Sequence, residues 1–133
     1  MTLTLDTSGL VAVANRRDPG QKSAADALAV DPGPYVVPAG ILAEAAYILK
    51  ARVGPASLDA FLDDLQERRL LLDCEEEDLP RIRQLVARYS DLPLAFADAA
   101  VIACAERRGA KVLTLDRRDF DVVAGDVPLD IVP

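Results

Sequence analysis

The chain has 133 residues, 51% of them hydrophobic and 28% charged, which is the composition of one globular domain and not of a disordered or membrane-spanning protein. It contains no histidine, which excludes histidine-activated nucleophiles, histidine acid–base catalysis and histidine-ligated zinc. The net charge of −7 argues against a protein that coats nucleic acid through its overall field. The same charge permits a local acidic site filled by a metal ion.

Short apolar strands alternate with longer helices along the chain. In order, the pattern predicts a strand at 3–6, a helix from 7 or 8 to 14, a polar turn at 15–20, a helix at 23–30, a strand at 35–37, helices at 39–51 and 57–68, a strand at 70–73, helices at 78–88 and 94–108, and strands at 112–115 and 129–132. This alternation predicts an α/β fold with a mainly parallel central sheet covered on both faces. In such folds, ligands bind beyond the carboxyl ends of the strands.

The amino-terminal segment and the apolar runs indicate where the protein works. No apolar run reaches the roughly 18 residues of a transmembrane helix. Residues 1–10 carry no basic segment ahead of the apolar stretch, as a secretory signal peptide would. We therefore expect a cytoplasmic protein that does not contact membranes. Cys74 and Cys104 lack the paired spacing of zinc ligands and are predicted to be buried free thiols.

Four acidic residues occupy unusual positions in this pattern. Asp6 ends the first strand, and Asp116 follows the fourth. Glu44 and Asp98 are isolated carboxylates in strongly apolar helices and are not expected to point freely into water. Burial raises the pKa of a lone carboxylate, whereas a divalent cation supplies the missing opposite charge. Each acid also has a simpler explanation: Asp6 as a helix N-cap, Glu44 as the partner of an arginine, Asp98 as a cap or partner, and Asp116 as the start of a turn.

As a set, the four acids predict a site built only from oxygen ligands, which suits Mg²⁺ or Mn²⁺. Two such ions clamp the attacking and leaving oxygens of a phosphodiester, and one of them lowers the pKa of its bound water. Ser8 and Thr114 lie near the same strand ends and are expected to hydrogen-bond a carboxylate or a phosphate. Arginine pairs recur at 16–17, 68–69, 107–108 and 117–118. Most such pairs are solvated surface, and the sequence alone does not place them on one face.

With these residues identified, the sequence resembles the PIN-domain family, and within it the VapC-type toxins of bacterial toxin–antitoxin pairs. The resemblance extends over nearly the whole chain, and the segments that carry it are LDTS with Asp6, LAEAAYIL with Glu44, ADAAVIACA with Asp98, and TLDRRDF with Thr114, Asp116 and the apolar Phe120 beneath them. The first segment alone is a weak signal. The last two together, with the expected helix and strand around them, are a strong one.

The resemblance implies a three-layer α/β/α sandwich in which residues 1–133 form a single PIN domain. It also implies Mg²⁺ or Mn²⁺ dependence and cleavage of single-stranded or structured RNA. A homodimer held inactive by a small VapB-type antitoxin is the implied assembly.

We expect each acid to have a distinct role in the mechanism. Asp6, Asp98 and Asp116 are predicted to hold the principal metal ion. Glu44 completes the cluster or orients the attacking water, and Asp119 is a secondary ligand. The further predicted substrate contacts are Arg117 and Arg118, which directly follow Asp116 and are placed to meet phosphate.

Other magnesium-dependent folds of this size fit the sequence poorly. A response-regulator receiver domain needs a phosphoacceptor Asp after a middle strand, but the strand at 35–37 ends in Pro38. A haloacid-dehalogenase-like phosphatase needs Asp-x-Asp where this chain has Asp6-Thr-Ser. The alternative that stays open is a PIN-like RNA-binding or assembly module without catalytic turnover.

Overall fold

A five-stranded sheet forms the centre of the structure, a computed structural model that describes residues 2–73, 76–92 and 94–133. Its strands are β1 (Leu3–Leu5), β2 (Tyr35–Pro38), β3 (Leu71–Asp73), β4 (Lys111–Leu113) and β5 (Asp130–Val132). They lie in the order β3-β2-β1-β4-β5, and every pairing is parallel. The parallel sheet predicted from the alternating pattern is therefore confirmed.

Helices cover both faces of this sheet. In the described part of the chain they are α1 (Thr7–Ala14), α2 (Gln21–Val30), α3 (Leu42–Ile48), α4 (Pro55–Gln66), α5 (Leu79–Arg88), α6 (Phe96–Arg107) and α7 (Arg117–Ala124). Successive side chains of a strand point to opposite faces, and all three residues of β1 are buried. Both faces of the central strand are therefore covered, as the predicted three-layer α/β/α sandwich requires.

The order of the strands reverses at β1, which determines where a ligand can bind. From β1 the chain adds β2 and β3 on one side, and it then crosses to add β4 and β5 on the other. Open parallel sheets bind ligands at such a reversal, beyond the carboxyl ends of the two strands that flank it. Here those strands are β1 and β4, which Asp6 and Thr114 directly follow.

Helix α6 is the central core helix. Its residues Ala99 through Ala105 are all buried, and four of the seven are alanine. Small side chains let this helix lie close to the sheet, which it contacts along β1, β2 and β4. Cys104 lies in this stretch and is a buried free thiol, as predicted, whereas Cys74 lies outside the described residues.

Gly9 allows helix α1 to approach the end of strand β4 closely. A Cβ atom at this position would lie 2.7 Å from the backbone oxygen of Leu113 at the end of β4. Only glycine allows the first turn of α1 to pack this closely on β4. The close packing brings the residues that follow β1 next to those that follow β4.

Two helical segments differ from the sequence prediction. The helix predicted at 39–51 is a 3₁₀ turn (Ala39–Ile41), the α-helix α3 and a π-helical turn (Leu49–Val53). The sequence pattern predicts no helix after Asp116, where a turn is the simpler explanation; the structure has helix α7, whose sequence RRDFDVVA begins with three charged residues. Its buried Phe120 and Val123, spaced three residues apart, anchor it as a helix against the core.

Within the described ranges, no helix combines the length and the apolar character needed to cross a bilayer. The predicted cytoplasmic location stays a prediction.

Candidate active site

Asp6 is the most buried acid at the sheet edge, with 4% of its surface exposed. It occupies the N-cap position of α1, but its side chain makes no capping hydrogen bond. Its Oδ2 atom instead accepts hydrogen bonds from the Ser8 hydroxyl at 2.9 Å and from the Thr114 hydroxyl at 2.8 Å. No capping hydrogen bond of standard geometry accompanies these contacts, although the backbone N–H groups of Thr7 and Ser8 lie close enough to lower the pKa of Asp6. Two hydroxyl groups from different strand ends orient the carboxylate.

Ser8 and Thr114 also hold the loop that carries Asp116. The Ser8 Oγ atom accepts the backbone N–H of Leu115 at 3.0 Å and that of Asp116 at 3.2 Å. The Thr114 Oγ1 atom accepts the same Asp116 N–H at 3.0 Å. Each hydroxyl thus donates to Asp6 and accepts from the Asp116 loop. The prediction that both residues hydrogen-bond a carboxylate is confirmed, and it is Asp6 that they bind.

The acids lie close enough for their charges to raise the pKa values of Asp98 and Asp116. Burial, followed by the negative charges of Asp6, Asp116 and Asp119, raises the pKa of Asp98 to about 6. The pKa of Asp116 is also raised, by burial and then by the charges of Asp119 and Asp6. Burial raises the pKa of Asp6 despite the opposing hydrogen bonds from Thr114 and Ser8. This charge repulsion shows that the topology brings Asp6, Asp98 and Asp116 together.

A cleft of about 320 Å³ opens at this point of the sheet edge. Its polar lining consists of Asp6, Thr7, Ser8, Asp18, Glu44, Arg52, Asp98 and Asp116. All four acids of the predicted cluster thus face one space, although they come from four separate segments of the chain. We call this space the carboxylate cleft.

Glu44 lines the carboxylate cleft, but it is more exposed to solvent than the sequence predicts. Its residue is exposed, so the prediction that its apolar helix would shield it from water is wrong. The reason is that α3 has only seven residues and buries few of them, and Tyr47, one turn further on, is 75% exposed. Glu44 therefore lies at the open rim of the cleft, whereas Asp6 lies at its base.

The donor set fits a divalent metal ion in its chemistry and charge. Carboxylate and hydroxyl oxygens are the ligands that Mg²⁺ and Mn²⁺ prefer, and a cation would offset the repulsion that raises the pKa of Asp98. In the described ranges, however, no three acidic or cysteine side chains are close enough together to form a ready-made cation site. The acids line one cleft and their charges raise the pKa of Asp98, but their side chains are not arranged as a complete coordination shell.

Of the three charged residues that follow Asp116, two lie near its carboxylate and one is engaged elsewhere. Arg118 lies close enough to Asp116 to lower the pKa of that acid, and Asp119 close enough to raise it. Arg117 instead donates to the backbone oxygen of Pro133 at 2.6 Å and pairs with Asp121. The structure therefore does not place Arg117 in the cleft as a phosphate contact, because its guanidinium group is engaged elsewhere.

Two charged residues of the cleft were not predicted from the sequence. Asp18 lies in the turn between α1 and α2, and its Oδ1 atom accepts the backbone N–H of Gly20 at 2.8 Å. Arg52 lies on the π-helical turn after α3. No periodic signal marks that turn, because a π-helical turn shifts side chains away from the positions that an α-helix predicts.

Comparison with known proteins gives one family and consistent structural relatives. The family model of the PIN domain matches residues 3–126. Ribonuclease VapC26 of Mycobacterium tuberculosis is 35% identical, and the match covers 91% of each chain.

Two solved structures share the fold at low sequence identity. The crystal structure of Mycobacterium tuberculosis VapC20, described as a Sarcin-Ricin loop cleaving toxin, has a TM-score of 0.81 at 19% identity and covers 92% of this chain and 95% of its own. VapBC2 from Rickettsia felis, bound to a DNA fragment from their promoter, has a TM-score of 0.69 at 19% identity, with coverages of 98% and 97%. Both likenesses show the same α/β fold.

Proposed function

Because this chain belongs to the PIN domain family, and within it to the VapC-type proteins, we propose that it is an endoribonuclease dependent on Mg²⁺ or Mn²⁺. The reaction is hydrolysis of RNA phosphodiesters in the carboxylate cleft. The observation that carries the proposal is the meeting of Asp6, Asp98 and Asp116 around one cleft at the reversal of the sheet, where the charges of Asp6 and Asp116 raise the pKa of Asp98.

The substrate class is supported by the relatives. The relative that is 35% identical is named a ribonuclease, and VapC20 is described as a toxin that cleaves the Sarcin-Ricin loop. The chain itself supports hydrolysis over histidine-based transesterification, because it contains no histidine. Its acidic cleft would repel an RNA phosphate unless a cation were bound there. RNA cleavage at this cleft therefore requires the metal ion.

In the proposed mechanism, Asp6, Asp98 and Asp116 would hold the metal ion, with Asp119, whose charge raises the pKa values of Asp98 and Asp116, as a supplementary acid. When bound, such an ion would activate a water as nucleophile and offset the negative charge that develops during hydrolysis. Ser8 and Thr114 fix the orientation of Asp6 and hold the loop of Asp116.

In the same mechanism, Glu44 acts on the attacking water and Arg118 on the substrate. The carboxylate of Glu44 at the rim accepts a hydrogen bond from the attacking water and orients it toward the phosphorus. Arg118, near Asp116, contacts the phosphate that enters.

We further propose that the protein acts as the toxin of a toxin–antitoxin pair, as a homodimer with a VapB-type antitoxin as partner. The support is the VapC-type membership and the likeness of the fold to VapBC2. An antitoxin that covers the carboxylate cleft would block RNA directly.

The proposal is tested by incubating the purified protein with a mixed RNA pool in Mg²⁺, in Mn²⁺ and in chelator. We expect cleavage only with metal, and products that carry phosphate and hydroxyl ends, because water is the nucleophile. Products with 2′,3′-cyclic phosphates, or cleavage that continues in chelator, would contradict metal-dependent hydrolysis. RNA binding without cleavage under any metal condition would favour the module without turnover.

A further inference from the structure

A second cleft adjoins the carboxylate cleft and has the opposite charge. It has a volume of about 330 Å³ and is lined by Ala14, Asn15, Arg16, Arg17, Arg52 and Val53. Arg52 lines both clefts, so the two form one continuous surface. We call Arg16, Arg17 and Arg52 the arginine cluster.

The arginine cluster has no acidic partner in the residues that the structure describes. Most basic side chains there are paired with acids, and the paired ones are Lys22, Arg69, Arg81, Arg88, Arg107, Arg108, Lys111 and Arg117. In a chain with a net charge of −7, three cations without ion-pair partners in one cleft are a local excess of positive charge. Their mutual repulsion is relieved when an anion binds between them.

The backbone holds the arginine cluster in place. The Arg17 N–H donates to the Asn15 side chain at 3.1 Å, which folds the loop after α1. The same loop packs on the segment before Asp116, since a Cβ atom at Gly20 would lie 2.3 Å from the Leu115 Cδ1 atom. Arg52 is carried by the π-helical turn Leu49–Val53, a form of helix that is frequent at functional sites. The three arginines are exposed, as are Ala14 and Val53 beside them.

The distance between the arginine cluster and the carboxylates indicates which part of a substrate the cluster contacts. Asp6 precedes α1 and the two arginines follow it, and the eight residues of this helix span about 12 Å. Arg16 and Arg17 therefore lie away from the phosphodiester that is cleaved, whereas Arg52 also borders the carboxylate cleft. The cluster is placed to meet the backbone of the same nucleic acid strand on one side of that bond.

From this placement, we propose that Arg16, Arg17 and Arg52 form a phosphate-binding subsite that holds the single-stranded RNA backbone beside the cleaved bond; the inference rests on the proposed function of the carboxylate cleft. Guanidinium groups match phosphate through paired, charge-assisted hydrogen bonds. The continuity of the two clefts favours RNA over an acidic peptide as the occupant. The subsite also explains how a strongly acidic protein holds an anionic substrate.

The test is the salt dependence of RNA binding, measured in chelator with a labelled single-stranded RNA of mixed sequence. For single strands, the slope of log K against log salt falls in magnitude by about 0.7 for each phosphate that the protein no longer neutralises. We expect a decrease of about 1.4 for Arg16→Ala/Arg17→Ala and about 0.7 for Arg52→Ala. The matched control is Arg68→Ala/Arg83→Ala, which removes two exposed, unpaired charges outside both clefts and leaves the slope unchanged.

Equal slopes for the Arg16→Ala/Arg17→Ala variant and its control would overturn the subsite. So would a weaker affinity for a polyglutamate peptide with no change in the RNA slope, because the occupant would then be an acidic peptide. Since binding is measured without metal, the result is independent of cleavage. If the wild type cleaves RNA but the salt slope of binding does not depend on these arginines, the subsite is refuted and the nuclease is not. A wild type that binds RNA through these arginines but never cleaves it supports the subsite and refutes the nuclease.

Discussion

Asp98→Asn is expected to lower the rate of RNA cleavage about a thousandfold, the size of effect seen when a group that stabilises developing charge is removed. Asp98 lies in the first turn of α6, and its pKa is raised by burial and by the charges of Asp6, Asp116 and Asp119. Asparagine keeps the size of the side chain but removes the charge that a metal ion requires. The measurement is the cleavage rate of wild type and variant in the same Mn²⁺ concentration, with the same RNA.

The matched control for this variant is Asp59→Asn, on the exposed face of α4. Asp59 makes no ion pair in the described part of the chain and does not line the carboxylate cleft. Its variant has the same change of charge and should cleave at the wild-type rate. If both variants lose activity equally, net charge controls the reaction. If neither loses activity, Asp98 has no part in it.

Asp73→Ala is expected to lower the free energy of unfolding by about 3–4 kcal/mol, the effect of removing one partner of a buried ion pair. The Asp73 side chain, at the end of β3, is 2% exposed. It accepts hydrogen bonds from Arg107 at 2.7 Å and from Arg108 at 2.5 Å. Arg107 also bonds to Asp78, so the substitution affects a network that ties α6 to the sheet edge. Chemical denaturation of wild type and variant measures the difference.

The control for this stability effect is Asp63→Ala, which removes an ion pair with Arg69 whose side chains are 56% and 55% exposed. Exposed pairs contribute about 0–1 kcal/mol, so this variant should unfold almost like the wild type. Equal destabilisation of the two variants would contradict the assigned role of burial. Burial alone would raise the pKa of Asp73, but its two arginines outweigh burial and lower that pKa. The stabilisation is therefore present at neutral pH and is lost as the pH falls through the lowered pKa.

Most of the sheet could be predicted from the sequence because the strands are short apolar runs next to polar turns. The strand predicted at 3–6 is β1, and the strand predicted at 112–115 overlaps β4. Parallel strands place their carboxyl ends at one edge, so the sequence predicts Asp6 and Asp116 together without knowledge of any contact. The long apolar helix that begins near Asp98 is equally clear, since its apolar character reflects burial against the sheet.

Other features depend on tertiary contacts that periodicity does not encode. Helix α7 begins with charged residues, and only two buried side chains determine its position. The exposure of Glu44 results from a 3₁₀ turn before α3 and a π-helical turn after it, which no apolar spacing predicts.

The roles of the arginine pairs likewise could not be predicted from the sequence. The pair 107–108 looks like solvated surface in the sequence, yet it binds the buried Asp73. The sequence predicts a phosphate contact for Arg117, yet this residue pairs with Asp121. Arg16 and Arg17 look identical to these pairs in the sequence. Only the packing of their loop beside Arg52 distinguishes them.

The central claim, that Asp98 belongs to a metal site, is tested most directly by thermal unfolding of wild type and Asp98→Asn in chelator and in Mn²⁺. The pH should lie well above the raised Asp98 pKa of about 6, so that the carboxylate is charged. Because the folded pKa lies above that of the unfolded chain, the charge costs stability at this pH. In chelator the variant should therefore be more stable by about 1–2 kcal/mol, after allowance for solvent screening.

Saturating Mn²⁺ should reverse this order. An ion at a hundredfold excess over its Kd stabilises the folded wild type by about 2.7 kcal/mol, whereas the variant lacks the ligand. A crossing of the two melting temperatures between chelator and Mn²⁺ is the predicted result. Equal stabilisation of both proteins by Mn²⁺, or stabilisation of neither, would contradict the metal site and with it the proposed nuclease mechanism.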